Sequence, residues 1–257
     1  MTALYTLSDV ALTVPGRTLL HGLDLTLPSG KVTGLIGHNG SGKSTLLKLL
    51  SRQTQPTRGS ITFAERPLPD WPTRALARHL AYLPQHPPAA EGLSVRELAA
   101  LGRYPWHGAL GRPGPEDRNA TDAAIAACGL DGLAARRVDT LSGGEAQRAW
   151  LAMLIAQEAG TLLLDEPISA LDIAHQVEVL TLVQSLSRAR GRSVVVVLHD
   201  LNMAARYCDH IVALKSGRLV FEGSPDELVT PDRLHDIYGA RMEVMTRADG
   251  SPVALPV

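Results

Sequence analysis

Three short runs of the chain are apolar with almost no polar alternation: VTGLI at 32–36, TLLLD at 161–165 and SVVVVLH at 193–199. Such runs are typical of strands buried on both faces, as in a parallel sheet covered by helices. Each run is followed by polar or glycine-rich residues and then by a helical pattern. The pattern therefore predicts an α/β fold with a parallel sheet flanked by helices, whose ligands bind at the carboxyl ends of the strands.

A helical pattern covers residues 172–191, with Asp172 as a candidate N-cap and Gly191 as a candidate C-terminal stop. Its apolar positions recur at helical spacing, so they are expected to share one buried face. The predicted face consists of Ile173, Val177, Leu180, Val183 and Leu186.

Shorter signals surround these elements. KSGRLVFEG at 215–223 predicts a hairpin that ends in an edge strand. SPDEL at 224–228 predicts a capping box, and Thr230 before a proline predicts a short helix. Between about residues 84 and 141, prolines, glycines and alanine-rich helical pieces replace the strand patterns, which predicts a mostly helical insertion into the α/β core.

The composition of the chain argues against several classes of protein. The 257 residues are 45% hydrophobic and 20% charged, and the net charge of −1 gives no support to a nucleic-acid-binding surface. Cys128 and Cys208 lie far apart in apolar contexts, which favours two reduced and partly buried thiols over a disulfide or a metal site. There is no signal-peptide pattern and no apolar run near the roughly 20 residues that span a bilayer. A cytosolic protein, or one bound to a membrane only through a partner, is expected.

The segment GHNGSGKST fits the pattern G-x-x-x-x-G-K-[ST] between a predicted strand and a predicted helix. Its glycines allow backbone N–H groups to surround phosphate oxygens, and the helix that follows directs its positive end at the same place. Lysine would reach the β- and γ-phosphates, and the next serine would ligate Mg²⁺. The predicted nucleotide-binding residues are Gly37, His38, Asn39, Gly40, Ser41, Gly42, Lys43, Ser44 and Thr45.

The segment TLLLDEP ends a buried strand with two carboxylates. In a protein with a phosphate-binding loop, the first carboxylate typically holds Mg²⁺, which assigns Asp165. Glu166 lies one residue further out, where it could orient or deprotonate the attacking water.

The segment LSGGE provides a second set of free N–H groups at a helix start, and hence a second candidate phosphate site. The alternative is a plain N-cap and turn. The residues concerned are Leu141, Ser142, Gly143, Gly144 and Glu145.

Taken in order, GHNGSGKST, YLPQ, LSGGE, LLLDEP, SALD and the histidine of VVVVLHD resemble the ATP-binding subunits of ABC transporters. The resemblance covers nearly the whole chain. It implies that Gln85 contacts Mg²⁺ and the attacking water, that His199 contacts the γ-phosphate, and that Asp172 lines a dimer interface. The implied Mg²⁺ ligands are Ser44, Gln85 and Asp165. The segment LSGGE would act in trans, on ATP bound to the other subunit of a head-to-tail dimer.

The resemblance also implies one ATPase domain over 1–257, with a core related to RecA, an N-terminal antiparallel β part and a helical subdomain at about 86–158. Three positions depart from the common pattern. Val14 stands where many relatives stack an aromatic ring on adenine, so contact from Val14 or the Arg17 stem is expected instead. Ile168 and Ala146 replace residues common after DEP and LSGGE, which predicts altered rates and not loss of activity.

At a finer level the chain is similar to importers of iron chelates and vitamin B12, and among them to the ATPases of ferric hydroxamate siderophore importers. The segments that carry this similarity include VPGRTLLHGLDL, GRYPWHGALGR and SALDIAHQVEVL. The partners implied are a second copy of the chain, a polytopic permease and, indirectly, a substrate-binding protein, but no nucleic acid. The location implied is the cytoplasmic face of the bacterial plasma membrane. Alternatives are importers of another iron chelate, haem or cobalamin, and a soluble ABC ATPase without a permease.

The segment GRYPWHGALGR is rich in aromatic and arginine side chains, which protein interfaces favour at their anchors. In the family that this chain resembles, the helical insertion accepts a cytoplasmic helix of the permease. Arg103, Tyr104 and Trp106 are therefore predicted to line or support that groove. The alternative is a packed turn that stabilises the insertion.

Overall fold

The computed structural model describes residues 2–108, 111–169, 171–247, 250 and 252–257. The chain forms two compact units, one of Met1–Trp71 with Ser187–Val257 and one of Pro72–Leu186. The predicted helical subdomain of about 86–158 falls inside the second unit, which extends beyond it at both ends. Two positions of GRYPWHGALGR, 109 and 110, lie outside the described residues.

Strands and helices are numbered along the chain. The strands are β1 (Ala3–Val14), β2 (Arg17–Pro28), β3 (Val32–Ile36), β4 (Arg58–Phe63), β5 (Arg66–Pro67), β6 (Leu80–Leu83), β7 (Thr161–Leu164), β8 (Ser193–Val197), β9 (His210–Lys215), β10 (Arg218–Gly223), β11 (Met242–Thr246) and β12 (Pro252–Pro256). The helices are α1 (Lys43–Leu50), α2 (Thr73–His79), α3 (Val95–Leu101), α4 (Tyr104–His107), α5 (Pro115–Ala127), α6 (Gly143–Ala156), α7 (Ile173–Arg190), α8 (Leu201–Tyr207), α9 (Pro225–Leu228) and α10 (Pro231–Tyr238). Short 3-10 turns lie at Leu68–Asp70, Asp131–Leu133 and Val138–Thr140.

The first unit contains an antiparallel sheet in the order β2-β1-β4-β5, which confirms the predicted N-terminal antiparallel β part. Its long strands β1 and β2 pair through a tight turn that Val14 and Arg17 close. The Tyr5 hydroxyl reaches across to donate a hydrogen bond of 3.0 Å to the backbone oxygen of Leu50, at the end of α1. The antiparallel sheet is thereby joined to the helix that follows the glycine loop.

The first unit also holds strands in the order β10-β9-β3-β8, with β3 parallel to both of its neighbours and β10 antiparallel to β9. Every residue of β3 and β8 is buried, as the unbroken apolar runs predict. The predicted hairpin at 215–223 is formed by β9 and β10, and α9 begins with the predicted capping box at Ser224. The α/β fold with a helix-flanked sheet is confirmed.

The second unit combines the parallel pair β6 and β7 with a helical layer in which α3, α5 and α6 pack on one another. The third predicted strand, at 161–165, corresponds to β7, which is also fully buried. The helical character predicted for residues 84–141 is confirmed by α3, α4 and α5.

One packing prediction is wrong. Ile173, placed on the buried face of α7, is 75% exposed, whereas Leu180, Val183 and Leu186 of the same face are buried. Ile173 is the first residue of the helix, Val177 one turn later is half-buried, and the buried positions of this face begin at Leu180.

The two cysteines are free, as predicted, and both are buried more fully than the sequence indicated. Burial raises the pKa of the Cys128 thiol to about 12, and burial likewise raises the pKa of the Cys208 thiol. Neither thiol is therefore a reactive thiolate near neutral pH. Among the described residues, no helix combines the length and apolarity needed to cross a bilayer.

Candidate functional site

The phosphate-binding loop of the first unit connects the end of β3 to the start of α1. Gly37 and Gly42 take φ angles of 134° and 106°, in the region that favours glycine. A Cβ atom at Gly37 would lie 2.1 Å from the backbone oxygen of Leu214, so no larger residue fits there. Gly42 caps α1 without any side-chain hydrogen bond. The backbone N–H groups at the start of α1 are thus not covered by a cap from the loop itself.

Lys43 holds the loop in its curved form. Its Nζ atom donates to the backbone oxygens of Gly37 at 2.8 Å and of His38 at 2.9 Å. The residue is only 5% exposed, so its charge is placed inside the loop and not in solvent. The predicted phosphate-binding lysine therefore lies among the backbone groups expected to bind the same phosphates. Ser44, the predicted Mg²⁺ ligand, is the next residue of α1.

The turn between β9 and β10 supports the loop from outside. The N–H of Gly217 donates to the backbone oxygen of Ser41 at 2.9 Å, while the N–H of His21 donates to the backbone oxygen of Gly217 at 2.9 Å. The Ser41 hydroxyl is buried and has no hydrogen-bond partner among the described residues. Since buried hydroxyls nearly always have a partner, this oxygen fits a loop whose polar groups are completed by a phosphate.

The end of α10 also contacts the loop. His38 Nε2 lies 2.8 Å from the backbone oxygen of Tyr238, and the two rings meet edge to face with centroids 5.4 Å apart. The Tyr238 side chain is half-buried with its hydroxyl inside, and this burial, followed by the charge of Asp200, raises the pKa of the hydroxyl to about 12. Asp200 caps α8 by accepting a hydrogen bond from the N–H of Met203 at 2.9 Å. Sequence reasoning missed this contact because its partners are 200 positions apart.

His199, the predicted γ-phosphate contact, follows β8 in the same unit. Since β3 and β8 are parallel and adjacent, their carboxyl ends lie at one edge of the sheet. The phosphate-binding loop leaves that edge from β3, and His199 leaves it from β8. The His199 side chain is exposed, as a residue that meets a ligand from solvent should be.

In the second unit, the parallel strands β6 and β7 bring Gln85, Asp165 and Glu166 to one edge. The N–H of Asp165 donates to the backbone oxygen of Leu83 at 2.9 Å, which extends the pairing past the end of β7. Gln85 Nε2 then donates to Glu166 Oε2 at 2.7 Å. The residue predicted to contact the attacking water is thus in direct contact with the residue predicted to deprotonate it.

Asp165 and Glu166 have different surroundings. Asp165 is 2% exposed. Burial, followed by the charge of Asp165, raises the pKa of the Tyr82 hydroxyl to about 12. Glu166 has a φ angle of 51°, a left-handed conformation that costs a non-glycine residue about 1 kcal/mol or more. Strain of this kind is typical of residues held in place for function.

The LSGGE segment forms the start of α6. Ser142 is the N-cap, and its hydroxyl accepts from the N–H of Glu145 at 3.3 Å. In return, the N–H of Ser142 donates to Glu145 Oε2 at 2.8 Å. These hydrogen bonds, from the Ser142 backbone first and its side chain second, lower the pKa of the Glu145 carboxyl. The structure therefore contains the N-cap that sequence reasoning gave as the alternative, on the same residues that were predicted to bind phosphate.

Asp172, predicted at a dimer interface, is the N-cap of α7. Its Oδ1 accepts a hydrogen bond of 3.0 Å from the N–H of His175, which confirms the predicted cap. The Asp172 carboxylate is 66% exposed, so it is accessible to a partner.

The segment predicted to contact a permease divides into a buried and an exposed part. Arg103 is 5% exposed and pairs with Asp117 at 2.9 Å and with Glu158 at 2.7 Å. Tyr104 is 56% exposed, and Trp106 is 36% exposed. Arg103 thus supports the segment from inside and does not line its surface.

Trp106 is held at its edge and over its face. Its indole N–H donates to the backbone oxygen of Gln157 at 2.8 Å. The guanidinium groups of Arg78 and Arg103 lie 5.1 Å and 5.0 Å from the ring centroid. Arg74 Nε donates to the backbone oxygen of Pro105 at 2.8 Å. The ring is therefore fixed in orientation while more than a third of the residue stays exposed.

Comparisons with known proteins agree with these motifs. Residues 20–169 match the family model described as ABC transporter. The chain is 44% identical over 239 residues to the Probable siderophore transport system ATP-binding protein YusV of Bacillus subtilis, covering 93% of this chain and 87% of the relative. It is 41% identical to the Ferric enterobactin transport ATP-binding protein FepC of Escherichia coli, with 93% and 89% covered. It is also 41% identical to the Iron(3+)-hydroxamate import ATP-binding protein FhuC of Bacillus subtilis, with 90% and 86% covered.

Solved structures agree with the fold. A chain from the inward-facing structure of a metal-chelate type ABC transporter has a TM-score of 0.86 at 25% identity, covering 100% of this chain and 98% of that one. The dimeric structure of the ATP-binding cassette MJ0796 in a post-hydrolysis state with ADP and Pi has a TM-score of 0.76 at 26% identity, with 86% and 98% covered. On its motifs, family match and fold, the chain belongs to the ABC transporter family, as one of its ATP-binding, ATP-hydrolysing domains.

Proposed function

We propose that this chain is the ATP-hydrolysing subunit that powers import of an iron(III)-hydroxamate siderophore through a membrane permease, at the cytoplasmic face of a bacterial plasma membrane. Relatives named for siderophore, enterobactin and hydroxamate transport support an iron-chelate cargo. The hydroxamate assignment rests on the similarity of GRYPWHGALGR and the neighbouring motifs. The observation that carries the hydrolytic role is the 2.7 Å hydrogen bond between Gln85 and Glu166.

ATP binding begins with the phosphate-binding loop. Backbone N–H groups from Gly37 to Thr45 would donate to the phosphate oxygens. The Lys43 ammonium would also donate to the phosphate oxygens, in place of the backbone oxygens of Gly37 and His38. Mg²⁺ prefers oxygen ligands, and the hydroxyl, amide and carboxylate oxygens of Ser44, Gln85 and Asp165 are of that type. When bound, this ion supplies positive charge that neutralises the β- and γ-phosphates.

Hydrolysis requires a water molecule aligned with the γ-phosphorus. Gln85 orients the water, and the Glu166 carboxylate accepts its proton as the new P–O bond forms. The bond to the β-phosphate oxygen breaks, which leaves ADP and inorganic phosphate. His199 donates a hydrogen bond to the γ-phosphate and stabilises the charge that develops there.

The glycine-rich start of α6 is assigned to the other subunit's nucleotide. The backbone N–H groups of Gly143 and Gly144 and the hydroxyl of Ser142 would contact the γ-phosphate held by the partner copy. Asp172 would line the interface of the resulting head-to-tail dimer. ATP would then close the dimer, and hydrolysis would let it reopen, which transmits force to the permease.

The permease contact is assigned to Tyr104 and Trp106. Their exposure, and the fixed orientation of the indole ring, are what an aromatic anchor needs. Arg103 supports them from the interior through its two ion pairs.

The test of this function is uptake of radiolabelled iron by iron-starved cells that lack the chain, complemented with wild type or Glu166→Gln. Iron is offered as a hydroxamate chelate, a catecholate chelate and citrate, with labelled cobalamin alongside. We expect only wild type to restore uptake, and only of the hydroxamate. Purified Glu166→Gln should bind ATP normally and hydrolyse it about 10²- to 10³-fold more slowly, as a dimer on size-exclusion chromatography. Restoration by the variant would contradict the role of Glu166, and loss of a different cargo would correct the substrate.

The permease contact is tested with the double variant Tyr104→Ala/Trp106→Ala. Co-purification with the permease should fall at least tenfold, because both anchors are removed, while ATP binding and thermal stability stay near wild type. Val220→Ala, which truncates an exposed apolar residue of β10, is the control. Normal assembly of the double variant, or a large loss of thermal stability, would favour the packed-turn alternative.

A further inference from the structure

His175, in the first turn of α7, is bonded to Asp172 twice. Asp172 Oδ1 accepts from the backbone N–H of His175 at 3.0 Å and lies 2.8 Å from its Nδ1 atom. These contacts, the backbone one first, lower the pKa of the Asp172 carboxyl, which is therefore ionised at neutral pH. Because an ionised carboxylate only accepts hydrogen bonds, Nδ1 carries the proton that joins the two side chains.

The same imidazole ring packs against the start of α6. A Cβ atom built on Gly144 would lie 3.4 Å from Cγ, 3.5 Å from Cδ2 and 3.6 Å from Nδ1 of His175. These are ordinary van der Waals distances, so the ring fills the space beside this glycine without crowding it. One side chain thus bonds to the Asp172 carboxylate and occupies the space beside Gly144 of the LSGGE segment.

The next residue, Gln176, contacts the backbone of the segment that precedes α7. Its Nε2 atom donates to the backbone oxygen of Leu171 at 2.9 Å and to that of Ile168 at 3.4 Å. The N–H of Ser169 in turn donates to the backbone oxygen of Glu166 at 3.3 Å. The first turn of α7 is therefore tied by hydrogen bonds to the segment that begins at the catalytic glutamate.

We infer that His175 is a positioning residue that fixes the LSGGE segment relative to Asp172, so that the two interface elements of one subunit move together. The inference rests on the proposed function, in which both elements meet the partner subunit. It differs from a role in nucleotide binding, since the contacts that carry it are those with Asp172 and with the space beside Gly144. Loosening this link should slow hydrolysis in the closed dimer and leave the affinity of the phosphate-binding loop unchanged.

Three variants separate the two contacts of the ring. His175→Asn keeps a short side-chain donor for the Asp172 carboxylate but removes the ring. His175→Phe keeps a ring beside Gly144 but cannot donate, and His175→Ala removes both contacts. Thr181→Ala, at an exposed position of the same helix, is the matched control for a change in α7 itself.

The measurements are kcat, KM and the Hill coefficient of ATP hydrolysis by the purified full chain, with thermal unfolding of each variant. We expect His175→Ala to lower kcat about tenfold, with KM within about twofold of wild type and a reduced Hill coefficient. His175→Asn and His175→Phe each keep one of the two contacts, so each should recover only part of kcat. Wild-type kcat in His175→Ala would overturn the inference. So would recovery by Phe and not by Asn, which would reduce the residue to a packing role.

The Glu166→Gln variant serves as the reference for the underlying function. If it still traps a dimer with ATP while the His175 variants hydrolyse ATP like wild type, the positioning role fails alone. If wild type shows no ATP-dependent dimer at all, the proposed shared site fails, and with it the reason for this link. An unfolding temperature of His175→Ala well below that of Thr181→Ala, with no kcat loss in His175→Phe, would also count against the inference.

Discussion

The starts of α1 and α6 are both rich in glycine and serine, but they differ in whether a side chain caps the helix. At the start of α1, Gly42 offers no side-chain cap. The structure describes every residue of the first turn, and none of them is acidic. At the start of α6, Ser142 and Glu145 cap each other in a complete capping box. The first helix thus starts at a glycine N-cap and a buried lysine, while the second has a carboxylate beside its own N-terminus.

This difference in capping indicates different tasks for the two glycine-rich segments that precede α1 and α6. The positive end of α1 is balanced by nothing within its own first turn, so an incoming phosphate supplies the missing negative charge. The positive end of α6 is partly neutralised by Glu145, which weakens its attraction for a free anion. We therefore expect α1 to capture ATP and α6 to recognise ATP that is already bound elsewhere.

Removing the lysine should produce the largest effect. Lys43→Ala removes the buried ammonium that the loop surrounds, so ATP hydrolysis should fall by about 10²- to 10³-fold, with ATP binding weakened. Fluorescent nucleotide titration and phosphate release measure the two losses. Lys48→Ala, in the last turn of the same helix and exposed, should behave like wild type. A Lys43→Ala variant with normal turnover would refute the assignment of α1 as the capturing site.

A bulky residue at the second helix should separate binding from turnover. Ser142→Tyr blocks the approach of a partner's nucleotide, so hydrolysis and ATP-dependent dimer formation should fall by about tenfold or more. ATP affinity of the monomer should stay within about twofold, because the phosphate-binding loop is unaltered. Titration and light scattering on the same preparation give both quantities. If affinity and dimerisation fell together, the two helix starts would not have separate tasks.

The smallest effect concerns the capping carboxylate itself. The pKa of Glu145 is lowered in the folded chain, so its stabilising contribution is complete above the ordinary glutamate pKa and is lost as the pH falls through the lowered value. Glu145→Gln should therefore unfold at a lower temperature than wild type at pH 7, by a few degrees at most, and this difference should vanish at strongly acidic pH.

Glu227 provides a matched control, because its capping box with Ser224 has the same geometry and the same direction of pKa shift. Glu227→Gln should show the same small, pH-dependent loss of stability but normal ATP hydrolysis. Glu145→Gln should also change the rate of hydrolysis. Equal rates in the two variants would mean that Glu145 acts only as a cap.

Local chemistry was predictable from the sequence. The strand at 32–36 has the predicted bounds, because five apolar residues before a glycine-rich loop leave little choice of structure. The caps at Ser224 and Asp172 were predictable for the same reason, since the capping groups lie within three residues of the helix N–H groups that they satisfy.

Features that depend on distant parts of the chain were not predictable. The exposure of Ile173 depends on how much of α7 the core covers, which a helical pattern does not contain. In the sequence Arg103 has the features of a surface anchor, because nothing local indicates its ion pairs with Asp117 and Glu158. The contact between His38 and Tyr238 and the hairpin of β11 and β12 likewise have no local signal.

The position of β3 also determines when during synthesis the phosphate-binding loop can form. The antiparallel hairpin of β1 and β2 joins neighbouring residues, so it can fold as soon as it leaves the ribosome. By contrast, hydrogen bonds from the start of β3 and from its loop join residues 177 and 200 positions apart. Contacts of such separation form slowly and only after the later segment exists. A ribosome-bound chain therefore carries the nucleotide-binding motif long before it has the strands that shape it, and ATP cannot assist its early folding.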